Sequence, residues 1–143
     1  MDYTQLDNYD TLFDDLYNYI NSYASIKTEV IKKSLPDKIE FPTVLMREAL
    51  NINQDRGTAT NRVETVDLLT YQVDIVTKDV IDENGLHPSL EIQKELKYLI
   101  FKFFFERGYE RTSTEYWENT NIVYDRLTCL FQGNLQSWNK HIR

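Results

Sequence analysis

The sequence predicts an α+β domain: an antiparallel or mixed sheet of four to five strands, with two main helices packed on one face. Three observations predict it. Two stretches, one near the N-terminus and one opening at Pro88, carry apolar residues at helical spacing. The segments between and after them alternate apolar and polar side chains, or run as short apolar tracts rich in β-branched and aromatic residues. The chain has 143 residues, enough to bury one core and too few for two. Residues 1–143 are therefore read as a single domain, with 134–143 as an extended C-terminal tail.

The first helix is expected over Asp7–Tyr23. Leu12, Phe13, Leu16, Tyr17 and Ile20 form its apolar stripe. Asp7, Asp10, Asp14 and Asp15 lie on the other side, where acids suit a helix N-terminus. Ser25–Lys33 fits either a strand or more helix, and its β-branched residues favour the strand. After a break at Ser34–Asp37, FPTVLM (41–46) opens a strand running to about Leu50. Pro42 belongs at its first residue or on an edge, because proline donates nothing to a ladder. Asn51–Arg62 is polar and predicts a long exposed loop, a place where function concentrates.

Val63–Val76 is the clearest strand. Leu69, Tyr71, Val73 and Ile75 alternate with Thr70, Gln72 and Asp74, the pattern of an antiparallel sheet covered on one side. Asp79–His87 reads as a turn. The second helix starts at Pro88 with His87 or Ser89 as its cap, and Gly108 ends it. Ile92, Leu96, Leu99, Ile100, Phe103 and Phe104 form its stripe. Phe101 and Phe105 lie off that stripe, which predicts burial on more than one side. Strands over Tyr109–Trp117 and Ile122–Gln132 complete the order α, β, β, β, α, β, β.

Composition narrows function. The net charge of −7 disfavours a main role in gripping nucleic acid, while allowing DNA to slide past without capture. The single cysteine, Cys129, permits no internal disulfide. The start MDYTQLDNYD has neither the basic nor the apolar region of a secretory leader. No apolar run approaches the ~20 residues of a membrane helix.

Catalytic and metal chemistry find little to work with. His87 and His141 are the only histidines. A nucleophilic mechanism needs a base and an orienting group beside its nucleophile. Cys129 lies mid-strand on the side of Leu127 and Phe131, which reads as a buried structural thiol. Asp82, Asn84, Gly85 and Glu91 fall where an EF-hand loop wants four of its residues, but Val80 occupies the first ligand position. That stretch reads as a turn entering a helix. The acids of the first helix read as a solvated face. No cofactor is expected.

Charge is unevenly spread. Residues 1–26 hold five Asp and no Lys or Arg, while beyond Asp125 there are bases and no acids. The plain reading is two solvated ends. The sharper one is complementary patches for head-to-tail packing of copies, which makes a ring when the rotation closes.

Taken in order, the motifs carry a resemblance. Phe41 and Pro42 open a strand that reaches Glu48 and Asn51. Leu69–Asp79 (LTYQVDIVTKD) closes the next one. Gly108, Tyr109, Arg111 and Thr112 follow the helix. Val123, Tyr124, Arg126, Leu127, Phe131 and Gly133 mark the last strand. Over roughly 5–133 this set resembles the tail terminator (tail completion) proteins of long-tailed bacteriophages. The long second helix and the basic tail after Gly133 depart from that pattern.

The resemblance implies a structural virion protein at the head–tail interface, assembled in the host bacterial cytoplasm. It implies a ring, hexameric in that family, which caps the tail tube, ends its polymerisation and joins the neck of the head. Partners would be further copies of the chain, the tail tube protein and a head-closure or neck protein. DNA would pass the lumen without specific binding, and no membrane or enzymatic reaction is implied. Candidate assembly contacts are Asp55, Arg56 and Arg62 in the polar loop, with Lys140 and Arg143 in the tail. The rival readings are another head–tail connector protein and, from a different class, a small acidic inhibitor of a nucleic-acid enzyme.

Overall fold

A computed structural model describes residues 3–53, 67–117 and 124–134. Among them are two helices, a five-stranded mixed sheet and a separate two-stranded hairpin. Helix α1 spans Tyr3–Tyr23 and buries Leu12, Phe13, Leu16 and Ile20. It starts before Asp7, and its first turn holds no acid. The aspartates therefore do not face the helix N-terminus; Asp10 and Asp14 are exposed along its outer side.

The ambiguous segment after α1 holds a strand, β1 (Glu29–Lys32), paired in parallel with β2 (Thr43–Asn53). Pro42 stands just before β2, after a cis peptide bond, and its carbonyl accepts the Glu29 N–H at 3.0 Å. Strand β2 continues three residues into the stretch expected as loop. Asn51 and Ile52 pair with Leu69 and Leu68 of β3 (Asp67–Thr77), so backbone pairing overrides polar composition there. The order across the sheet is β1-β2-β3-β7-β6, where β6 is Glu110–Trp117 and β7 is Asp125–Asn134. All pairs but β1–β2 are antiparallel.

Asp79–His87 is more than a turn. Val80–Asp82 (β4) and Gly85–His87 (β5) form a hairpin, and Gly85 supplies a φ of +109°. The Asp82 carboxylate accepts the Asn84 N–H at 2.8 Å, an Asx turn that fixes the bend.

Helix α2 covers Ser89–Glu106. Its cap differs from the expectation. Pro88, extended at φ −65° and ψ 141°, is the N-cap residue, and no side chain of the cap bonds the helix. The Ser89 N–H is satisfied instead by the Asp79 carboxylate at 2.8 Å. The Ser89 hydroxyl is turned inward to Thr77 and Asp125, which leaves it unable to cap. Gly108 (φ +85°) ends the helix as predicted, and the Tyr109 N–H reaches back to the Phe104 carbonyl at 3.0 Å.

Both helices lie on one face of the sheet. Leu69, Tyr71, Val73 and Ile75 of β3 and Leu127, Cys129 and Phe131 of β7 point toward them, as the alternation predicts. Phe104 stacks on Phe131 with centroids 4.2 Å apart, and Tyr71 lies between Tyr9 and Tyr109. Each such side chain stabilises the fold by roughly 1.5–3 kcal/mol through burial.

The other face was expected to be open, but Leu45, Asp74 and Val76 are buried there. Arg126 reaches from β7 to the Asp74 carboxylate on β3, with Arg47 at 3.9 Å. A buried carboxylate is tolerable when paired and hydrogen-bonded, and this one also accepts from Thr128 at 2.7 Å and Gln72 at 3.2 Å.

Candidate assembly surface

Five strands are wider than two helices. A helix about 10 Å across covers about two strands ~4.8 Å apart, so two helices leave one strand bare. Helix α1 sits toward the β1 edge: Tyr9 donates to the Met46 carbonyl of β2 at 3.0 Å, and Asp10 pairs with Lys32 of β1 at 3.1 Å. Helix α2 lies chiefly over β3 and also meets β7 and the start of β6. Among the described residues the least covered strand is β6, in which residues 111–116 are all exposed.

This geometry leaves an apolar groove of about 460 Å³ between α2 and β6. Tyr98, Phe101 and Phe105 form its helix wall, and Tyr109 and Phe131 lie at its floor. Lys102, Arg111 and Glu110 complete the lining. The Arg111 guanidinium lies over the Phe101 ring, 4.9 Å from its centroid, in a cation–π contact that holds Phe101 in place. Phe105 is 77% exposed while Phe101 is half-buried against Phe131, so the burial expected of the off-stripe rings holds for Phe101 and fails for Phe105. The helix buries one stripe and offers a second. A large apolar ring held in water costs solvation free energy, and a cluster of them is a candidate binding surface.

A second apolar surface lies at the β4–β5 hairpin. Ile81 and Leu86 are cross-strand neighbours, and both are exposed. Leu90 in the first turn of α2 is exposed as well.

The titratable groups singled out from the sequence have structural settings. His87 pairs with Asp82 at 3.0 Å inside the hairpin. The Asn84 backbone N–H, and next the His87 ring, hold the Asp82 carboxyl below its usual range. Cys129 faces the core, where burial pushes its thiol up to about 11, far from the thiolate that nucleophilic chemistry uses. Among the described residues no three His, Cys, Asp or Glu side chains come together as a metal site. Among the same residues no helix is long and apolar enough to cross a membrane.

The candidate contacts Asp55, Arg56, Arg62, Lys140 and Arg143 all lie outside the described residues. What sequence reasoning missed is the groove and the hairpin patch. The spacing of Tyr98, Phe101 and Phe105 (i, i+3, i+7) carried the first signal: a second aromatic stripe on one helix. Ile81 and Leu86, placed symmetrically about Glu83-Asn84, carried the second. No protein-family model matches this chain, and no curated protein sequence matches it.

Proposed function

We propose that this chain is a structural, non-enzymatic protein of a long-tailed phage, acting as a tail terminator. Copies form a ring that caps the finished tail tube, stops its growth and presents a surface to the neck of the head. The observation that carries this reading is where the motifs of the resemblance fall in the fold. Phe41 and Pro42 lie immediately before β2, and Asp79 lies just after β3. Gly108 terminates α2, and Gly133 lies near the end of β7. Residues set at element junctions are ones a shared backbone path would constrain, and this supports reading the ordered likeness as one of architecture.

The exposed apolar groove and hairpin support a role in protein contacts, and the acidic balance suits a lumen through which DNA slides. Electron microscopy of particles assembled without the protein tests the reading. Abnormally long tails, or tails that fail to join heads, are the expected result. Labelled protein found along the tube or at its distal tip would refute it.

A further inference from the structure

We propose that the α2–β6 groove receives the outer flank of α1 from the next copy of the chain, so that opposite edges of the sheet meet head-to-tail. The proposal rests on the ring reading above and names the contact that would build the ring.

The flank is defined by geometry. Tyr19 packs on Phe103 of α2, 5.4 Å between centroids, so its side of α1 faces α2. Tyr17 stands two residues earlier, about 200° round the helix, and points to the other side. Asp10, Phe13, Asp14, Tyr17 and Asn21 share that side at helical spacing. Lys32 of the edge strand β1 pairs with Asp10 and lies 5.0 Å from the Phe13 ring centroid, which fixes this flank at the β1 edge. Asp14 is exposed, and Tyr17 is about half exposed.

The groove lies at the opposite edge and has the complementary chemistry. Its aromatic wall and floor fit a tyrosine ring. Lys102 and Arg111 outnumber Glu110 in its lining. The flank, by contrast, belongs to a helix with no Lys or Arg at all. A contact between unlike patches on opposite edges is heterologous, and it closes into a ring when the rotation permits. The same contact would lay a helix over the exposed residues of β6 and continue the helical layer from copy to copy. Direct strand pairing is a poorer route. Strand β6 carries Glu110, Arg111 and Glu115 and a bulge between Arg111 and Ser113, features that blunt an edge.

Disulfide trapping tests the contact in the full-length chain, and it captures association too weak to survive dilution. Tyr17→Cys and Phe105→Cys replace exposed side chains, while native Cys129 is buried. A chain carrying both changes should give a ladder of cross-linked trimers and larger species on mild oxidation. Either single change should give dimers at most. Reversing the groove charges with Lys102→Glu and Arg111→Glu should abolish the ladder, and adding Asp14→Lys should restore it. Far-UV circular dichroism and melting of each variant establish that it is folded. No ladder from the folded double variant, or a ladder indifferent to the charge reversal, would overturn the proposal. Rings that cap tails without the Tyr17–Phe105 link would overturn this contact and leave the terminator reading standing. A charge-dependent ladder from a protein that caps no tails would support the contact and sink the terminator reading.

Discussion

Asp74 is the most consequential polar residue of the fold, and replacing it with alanine tests the account of the face opposite the helices. Its carboxylate is fully buried in the central strand β3. It accepts from the Thr128 hydroxyl at 2.7 Å, the Gln72 amide at 3.2 Å and the Arg126 guanidinium. Breaking a buried ion pair by removing one partner costs roughly 3–5 kcal/mol. Arg126 is about a quarter exposed, and water can partly rehydrate it and Gln72, which lowers the figure. Thr128 is buried and has less access to water. Roughly 2–4 kcal/mol is therefore expected for Asp74→Ala, a fall in melting temperature on the order of 10 °C for a domain of this size. Asp74→Asn keeps an acceptor for Thr128 but loses the charge, and should cost about half as much. Urea and thermal unfolding followed by circular dichroism give both numbers. A double-mutant cycle with Arg126→Ala should return a coupling of roughly 1–3 kcal/mol. Equal effects for Ala and Asn, or strictly additive single changes, would refute the claim that the charge pair organises this face.

Three further changes probe the core. Phe103→Ala should cost roughly 3–5 kcal/mol, while Phe105→Ala on the same helix should stay within about 0.5 kcal/mol; similar losses for both would show that the two sides of α2 are misassigned. Gly133→Ala places a Cβ 2.9 Å from the buried Tyr109 ring, so a loss of roughly 1–3 kcal/mol is expected in denaturant unfolding, and a neutral outcome would contradict the close approach. Cys129 should resist iodoacetamide at neutral pH until the chain is unfolded; rapid labelling of native protein would contradict its burial. Because burial raises this thiol to about 11, its contribution to stability is fully present below the unfolded thiol value of about 8.5 and declines as pH rises from there toward 11. Unfolding titrations at alkaline pH check that sign.

Much of the fold was legible because period and pairing agreed. The alternation of Leu69, Tyr71, Val73 and Ile75 announced both the strand and its buried side, and Leu127, Cys129 and Phe131 did the same for β7. The signals that failed were those that long-range contacts override. Asn51 and Ile52 read as loop by polarity, but the backbone of β3 pairs with them. Asp74 read as solvent-facing because a carboxylate in an alternating strand usually is. Its partner Arg126 stands 52 residues away, beyond the reach of a local pattern. The cap of α2 was missed for a similar reason, since its acceptor is Asp79, ten residues upstream and across a hairpin.

The groove was half legible. Phe101 and Phe105 stood out from the main stripe of α2, and the inference drawn from them was burial. Local sequence states that a side chain is apolar; it does not state how wide the sheet beneath the helix will be. That width follows from topology: β7 inserts between β3 and β6 and pushes β6 to the edge, where α2 meets only its first residues. An exposed aromatic stripe of this kind is a cost to the isolated chain, because it holds apolar surface in water and invites misassociation. The cost is offset when a partner covers the stripe. Among the described residues α1 is already committed to β1 and β2, so neither described helix is left to cover the β6 edge. The α1 of a second copy brings an aromatic ring and acids to meet aromatics and bases, and because it stands at the far edge of the sheet, each copy that fills a groove presents an unfilled one in turn.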